Sequence, residues 1–335
     1  MILVTGGTGL LGSNLLLELT RNHEKISAIF RDESKIELVK KIFLKLEPTE
    51  GKEFFEKITW IKCDVLDIVT LNEITKDIKT IYHCAALVSF RRRDFPLMMK
   101  INGQGTANIV NACLENKIEK LCYDSSTAAV GKEFLEGKDY VVETNKWTQS
   151  PKTSAYAISK YTAEKEVWRG IEEGLNAVII NPSVIFGPGD WNESSLTIFR
   201  TISAGLKFYT KGANAFVDVR DVVNSMINLT ESYISAQRFL CTGTNISFKD
   251  LFILIAKEMK VNAPYIYANR FLCEIAWRLS SLIAVFKGKA TLTKESVQSS
   301  QGIAIYDSSK ILKELNFNFI DLHETIKYTI KNKIN

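Results

Sequence analysis

The feature that most constrains this chain is its opening stretch, MILVTGGTGLLG, residues 1–12. Residues of strand type run straight into Gly6, Gly9 and Gly12, and an apolar helical pattern follows through Leu10, Leu11, Leu15 and Leu19. Strand, glycine turn and helix in that order are the context in which such glycines bind a dinucleotide. Gly6 lets the chain turn off the strand, Gly9 removes the Cβ that would block a pyrophosphate, and Gly12 lets the helix pack on the sheet. The phosphates then sit on free N–H groups at the helix N-terminus, where the macrodipole favours negative charge. Thr5, Leu10 and Leu11 belong to the same turn and are cofactor-contact candidates with the glycines. A glycine turn without a ligand is the alternative, and the flanking strand and helix weigh against it.

With the strand starting at Met1, the expectation is a cytoplasmic chain without a leader segment. The six cysteines (Cys63, Cys84, Cys113, Cys122, Cys241 and Cys273) show no metal-ligand spacing and read as core thiols. No metal is expected. A length of 335 residues suits one large or two modest domains. The formal charge of +5 is spread over Lys-rich helices and carries no nucleic-acid signal. No run of about eighteen uncharged apolar residues is present, so no transmembrane segment is expected.

Taken in order, strands are expected at 25–31, 58–62, 80–84, 120–124 and 177–181, the last stopped by Pro182. Helices are expected at 34–46, 98–116 and 154–173. This alternation argues an α/β fold, a Rossmann-type doubly wound parallel sheet with helices on both faces. Ligands on such sheets bind beyond the carboxyl ends of the strands, and every motif below falls at such an end or on an adjoining helix. After Gly187 the rhythm changes, with short strands around 216–219 and 238–242. The expected division is a dinucleotide-binding domain over 1–186 and a smaller substrate domain over 187–335, with about 216–245 returning to the first.

The end of the second strand decides which dinucleotide is taken. An acidic residue there accepts from the ribose 2′-hydroxyl of NAD, whereas an arginine pairs with the 2′-phosphate of NADP. Arg31 precedes Asp32, with Lys35 one turn on, so NADP(H) is favoured over NAD(H), with Asp32 keeping NAD open. For the chemistry, Tyr156 and Lys160 form a YxxxK pair, whose spacing puts both side chains on one helix face. A phenol of pKa near 10 is a poor acid–base group at neutral pH, and a neighbouring ammonium lowers it toward the working range. Ser125 and Ser126, at the end of the fifth strand, supply a hydroxyl for a substrate oxygen.

With these residues in hand, the chain resembles an extended short-chain dehydrogenase/reductase of the NAD-dependent epimerase/dehydratase superfamily. Within it, the dihydroflavonol-reductase-like and 3β-hydroxysteroid-dehydrogenase-like members are nearest. The carrying segments are TGGTGLLG, CDVLD, HCAALVSF, INGQGTANIV, DSSTAAVG, YAISK, NPSVIFGPG and FVDVRDVV, in family order from residue 5 to 223. The resemblance implies that Tyr156 exchanges the proton and that Lys160 binds the nicotinamide ribose and tunes it. It implies Ser126, rather than Ser125, as the carbonyl-binding serine. It also implies Asp64 and Val65 at adenine, and Ala85, Ala86 and Leu87 along the cofactor. Asn102 would lie near the active site, with Pro182, Ser183 and Val184 around the nicotinamide amide. The segment SAIFRDESK resembles the arginine-bearing strand end of NADPH-dependent flavonol reductases. One departure stands out: nucleotide-sugar members usually carry an arginine before FxxVxD that clamps the diphosphate, and here Asn214-Ala215 precede Phe216.

Val88, Arg91 and Ser126 are the substrate-side candidates, Arg91 belonging to a run Arg91-Arg92-Arg93 that reads first as solvated and next as a site for an acidic substrate group. Residues 265–286 form an apolar stretch with Arg270, Glu274 and Arg278 on one helical face. It reads first as core packing of the second domain, and next as a lid over a lipophilic substrate or a peripheral membrane contact. His83, inside a strand, reads as a packed core residue. The expected function is therefore reduction of a ketone or aldehyde, or the reverse, by hydride transfer with Tyr156 as general acid or base. A nucleotide-sugar epimerase or dehydratase with tightly held NAD is the alternative, and a non-catalytic NADP-sensing protein a second. The expected partner is a small, lipophilic or aromatic molecule, and a homodimer is left open.

Overall fold

Strands buried on both faces need continuous apolar sequence, and that is what the central sheet uses. A computed structural model describes residues 1–133, 137, 139–151, 153–287 and 293–334, with backbone alone over 279–287. Its strands are β1 (Ile2–Thr5), β2 (Ile26–Phe30), β3 (Ile58–Lys62), β4 (Thr80–His83), β5 (Lys120–Asp124) and β6 (Ala177–Pro182). They continue with β7 (Val184–Phe186), β8 (Phe208–Tyr209), β9 (Ala213–Asp218), β10 (Gln237–Cys241), β11 (Thr244–Ser247) and β12 (Ile266–Tyr267). Seven of them form one parallel sheet in the order β10-β6-β5-β4-β1-β2-β3. The order reverses at β1, so the glycine turn leaves the sheet where neighbouring connections diverge and a crevice opens.

Alternate residues feed two cores. Val4, Ala28, Tyr82, Cys122 and Val178 pack against the helices Leu10–Asn22, Ser34–Leu46 and Val219–Glu231. Leu3, Ile29, Ile81, Leu121 and Ile179 face the opposite way, against Ile68–Thr75, Gly105–Glu115 and Ala155–Glu172. A third core surrounds Phe186, Trp191, Phe199 and Phe216, where the small sheet β11-β9-β7 meets Phe248–Met259 and Leu322–Lys331. Gln237–Cys241 runs beside β6 as an edge strand of the large sheet.

Two elements differ in detail from the sequence expectation. Pro182 closes β6 opposite Cys241 instead of lying beyond it, and at a strand end its missing N–H costs little. The helix expected from residue 98 begins at Phe95 and passes through a wider π-helical stretch, Met99–Gln104, before Gly105–Glu115. Such π turns often mark functional sites, and this one carries Asn102. Among the described residues no helix is long and apolar enough to cross a membrane.

Candidate active site

Two of the three motif glycines of the turn sit where a Cβ has no room. Gly6 sits at φ +70°, and a Cβ there would lie 2.6 Å from Ala85 N. A Cβ on Gly12 would lie 2.2 Å from Gly6 O, whereas one on Gly9 would meet only Gly6 O at 3.4 Å. Gly9 is exposed and caps the Leu10–Asn22 helix without any side-chain hydrogen bond, so the helix's first N–H groups have no side-chain cap. An open, uncapped helix N-terminus beyond the strand ends fits a dinucleotide pyrophosphate. The side chains around it point elsewhere. Thr5 is buried, its Oγ1 2.7 Å from His83 Nδ1 and accepting from Ala85 N at 3.2 Å. Leu11 packs in the first core and Leu10 against the third.

Tyr156, Lys160 and Ser126 come together at the carboxyl end of β5. Ser154 caps their helix, its Oγ accepting from Ala157 N at 3.1 Å. Lys160 is 1% exposed and donates from Nζ to Asp124 O at 2.7 Å, with Nζ 4.7 Å from the centre of the Tyr123 ring. Ser126 Oγ accepts from Ala128 N at 3.1 Å and lies close enough to the Tyr156 phenol to help lower its pKa. One lone pair of Ser126 is thereby occupied. The expected drop in the Tyr156 pKa is not what this surrounding produces. Burial raises it more than the Lys160 ammonium and the Ser126 hydroxyl lower it, so the phenol is protonated at neutral pH. Behind them the His83 ring stacks on Tyr123, 5.5 Å between centres, and bonds Thr106 Oγ1 at 3.0 Å. Burial and the Lys160 charge push His83 down to about 3, so it stays neutral.

Farther along the crevice, Arg31 is 55% exposed and reaches Asp64 only at 3.8 Å. Asp32 is spent on Ser34, accepting from its N at 3.0 Å and Oγ at 2.6 Å, and Lys35 pairs with Glu193 at 2.7 Å. Val65 is buried, its carbonyl accepting from Asn108 Nδ2 at 3.0 Å, so only its backbone could face a ligand. Ala85, Ala86 and Leu87 are half-buried on the loop after β4. Asn102 clamps that loop, accepting from Leu87 N at 2.7 Å and donating to Leu87 O at 3.0 Å. Ser183 is tied to β10 through its N–H to Cys241 O and its Oγ to Thr242 O, Pro182 is buried, and Val184 packs on the third core.

The segment beside Tyr156 exposes apolar side chains. The Phe90 and Tyr156 rings lie 6.4 Å apart, and Val88, Phe90 and Leu97 are 44%, 41% and 50% exposed. Arg91 is held by Asp94 at 2.9 Å, which also accepts from Ser89 Oγ at 2.6 Å. Asn214 Oδ1 accepts from its neighbour Ala215 N, and Ala215 is buried. The 265–286 stretch is a short strand, β12, followed by the helix Arg270–Lys287. The core-packing expectation fails for its first turns, where Phe271, Leu272 and Ile275 are 71%, 41% and 40% exposed and Cys273 is buried. Its side chains from 279 on lie outside those described. Among the described residues no group of three or more His, Cys, Asp or Glu could hold a metal ion.

Sequence reasoning missed the residues behind the site. Glu164, Asn181 and Arg238 form a buried polar network with Ser125. The only signal in the sequence was a charged residue, Glu164, four positions past Lys160 on its buried face.

Comparison with known proteins bears on this arrangement. The chain is 28% identical over 284 residues to anthocyanidin reductase of Arabidopsis thaliana, covering 77% of this chain and 81% of that one. It superposes on the crystal structure of gox2253 with a TM-score of 0.79 at 28% identity, covering 99% and 97% of the two chains. The Bordetella bronchiseptica enzyme WbmH, solved in complex with NAD+, shares the fold at a TM-score of 0.73 and 18% identity, with 99% and 97% covered. The model of the NAD dependent epimerase/dehydratase family matches residues 2–238. The protein is therefore a member of the NAD-dependent epimerase/dehydratase family of extended short-chain dehydrogenases/reductases, an NAD(P)-dependent enzyme on a Rossmann-type fold.

Proposed function

We propose that this protein reduces a ketone or aldehyde at the expense of NADPH, with Tyr156 as the proton donor. The nicotinamide, when bound, supplies the hydride. Ser126 and Tyr156 hold the carbonyl oxygen between two hydroxyl donors, as in an oxyanion site. Tyr156 passes its phenolic proton to that oxygen as it becomes an alkoxide, and Lys160 stabilises the phenolate left behind. A phenol kept protonated by burial is in the right state for that direction. Residues 1–186 carry the dinucleotide side together with the catalytic residues and the apolar segment at 88–97, and 187–335, apart from a returning stretch near 216–245, completes the substrate side.

The observation that carries the reading is the surround of Tyr156. Phe90 offers exposed apolar surface beside it, Val88 and Leu97 are exposed on the same segment, and Arg91 there is engaged by Asp94. A nucleotide diphosphate asks for unpaired cations there, whereas an aromatic or lipid-like carbonyl asks for apolar contact. Arg31, exposed while Asp32 is consumed by Ser34, supports NADP(H) over NAD(H). The name of the Arabidopsis relative points the same way. The test is a panel of aromatic and aliphatic carbonyls assayed with NADPH and NADH, beside UDP- and dTDP-sugars. Net NADPH oxidation with a carbonyl is expected. Epimerised sugars, tightly retained NAD and no net NADPH loss would replace this reading by the epimerase alternative.

A further inference from the structure

The proposed proton transfer uses Ser126, Tyr156 and Lys160, yet a closed polar network behind them takes no part in it. Glu164 lies on the Tyr156 helix and is 2% exposed. Its Oε2 accepts from Ser125 Oγ at 2.5 Å and from Asn181 Nδ2 at 2.7 Å. Its Oε1 accepts from Arg238 Nη1 at 2.9 Å and from Trp168 Nε1 at 3.3 Å. The same Asn181 amide donates to the carbonyl of Ser126 at 2.9 Å, and Ser125 N–H is fixed on Ile180 O at 2.8 Å. Arg238, 18% exposed at its side chain, is itself anchored on the carbonyls of Glu143 and Asn145.

A carboxylate in such a place is costly to bury, and a buried ion pair can often be replaced by packed apolar side chains without loss of stability. Packing alone therefore gives no reason for Glu164. What a carboxylate adds is direction. One oxygen fixes two donors, and those donors hold the residue before Ser126 and the carbonyl of Ser126 itself. The Ser126 hydroxyl is then set by Ala128 N–H, close to the Tyr156 phenol. Small displacements of a reacting group cost rate steeply, so the backbone of Ser126 is where such rigidity matters.

We propose that Glu164, neutralised by Arg238, is the positioning residue that holds Ser126 against Tyr156, acting through Asn181 and Ser125. The inference rests on the reading of Ser126 and Tyr156 as the carbonyl-binding pair. It separates two jobs on one helix: Lys160 acts on the reacting groups, and Glu164 on the strand end that faces them.

The test is a double-mutant cycle between Glu164→Gln and Ser126→Ala, read as kcat with saturating NADPH and 4-nitrobenzaldehyde as the probe. Glu164→Gln is expected to lower kcat about tenfold or more in the wild type and less than about threefold when Ser126 is already alanine. NADPH affinity should stay within about twofold, since the glycine turn is untouched. Asn181→Ala removes one amide and keeps the ion pair, so it repeats the cycle if Glu164→Gln folds poorly. A second readout needs no turnover: the Tyr156 titration followed by NMR in protein labelled with [ζ-13C]tyrosine and assigned with Tyr156→Phe. The Ser126 hydroxyl lowers that titration, so Ser126→Ala should raise it, and Glu164→Gln should raise it as much. Equal losses of kcat in both backgrounds, or an unmoved Tyr156 titration, would overturn the proposal. Full activity in Ser126→Ala would instead overturn the reading on which it rests.

Discussion

The two ends of the crevice are built from different materials. At the cofactor end the working parts are backbone: the uncapped helix behind Gly9, the turn at Gly6 pressed on Ala85, and the Leu87 peptide clamped by Asn102. Side chains there, such as Thr5 and Val65, are turned inward. At the proposed substrate end the parts on offer are apolar side chains: Phe90, exposed beside Tyr156, with Val88 and Leu97 exposed on the same segment. The difference teaches where change is tolerated. Backbone contacts hold one ligand geometry across many sequences, whereas exposed side chains can be exchanged to suit another substrate without moving the sheet.

Substitutions at the two ends should therefore separate. The largest effect is expected where the ends meet: Tyr156→Phe should lower kcat by about 10²–10⁴ while NADPH affinity, measured by fluorescence titration, stays near wild type. At the cofactor end, Arg31→Ala should weaken NADPH by about 1.5–3 kcal/mol, leave NADH unchanged and leave the carbonyl KM alone. A matching loss for NADH would mean that Arg31 does not read the 2′-phosphate.

A third variant probes the junction for stability alone. Burial pushes the Asp124 carboxyl up to about 7, with partial relief from Lys160, and its Oδ1 is buried without a partner. The unfolded chain titrates near 3.9, so between about pH 4 and 7 the folded protein holds an extra proton, and folding weakens as pH rises. Above that window an ionised carboxylate is buried. Asp124→Asn should therefore exceed wild type by about 1–2 kcal/mol at pH 8, with the gain vanishing near pH 4. Thermal melts across that range check it, and a gain that grows toward acid would reverse the sign. The smallest effect belongs to the substrate end. Phe90→Ala should raise the KM of an aromatic carbonyl by roughly 0.5–1.5 kcal/mol worth, and that of a small aliphatic one much less, with cofactor affinity unchanged.

The same division explains what the sequence made legible. The strand order, the glycine turn and the Tyr156–Lys160 pair rest on spacings of a few residues, and local periodicity reads those well. Phe90 and Leu97 were hidden because an apolar residue reads as core until its exposure is known. For Phe271 and Ile275 the same habit led to a core expectation that the structure reverses. The Glu164–Arg238 pair spans 74 positions, and no local pattern announces a partner at that distance. The Tyr156 pKa was misjudged for a related reason. The YxxxK spacing shows the ammonium that lowers it and conceals the burial that raises it.

The central claim, that a hydride leaves NADPH for a carbonyl carbon beside Tyr156, is tested most directly by label transfer. The purified protein would be incubated with each C4-deuterated stereoisomer of NADPH and an aromatic aldehyde, and the product analysed by mass spectrometry. The account predicts one deuterium at the carbinol carbon per NADPH consumed, from one stereoisomer only, with labelled product formed about 10²–10⁴-fold more slowly by Tyr156→Phe. An unlabelled product, or a protein that holds NAD through purification and scrambles sugar stereocentres without consuming NADPH, would contradict it.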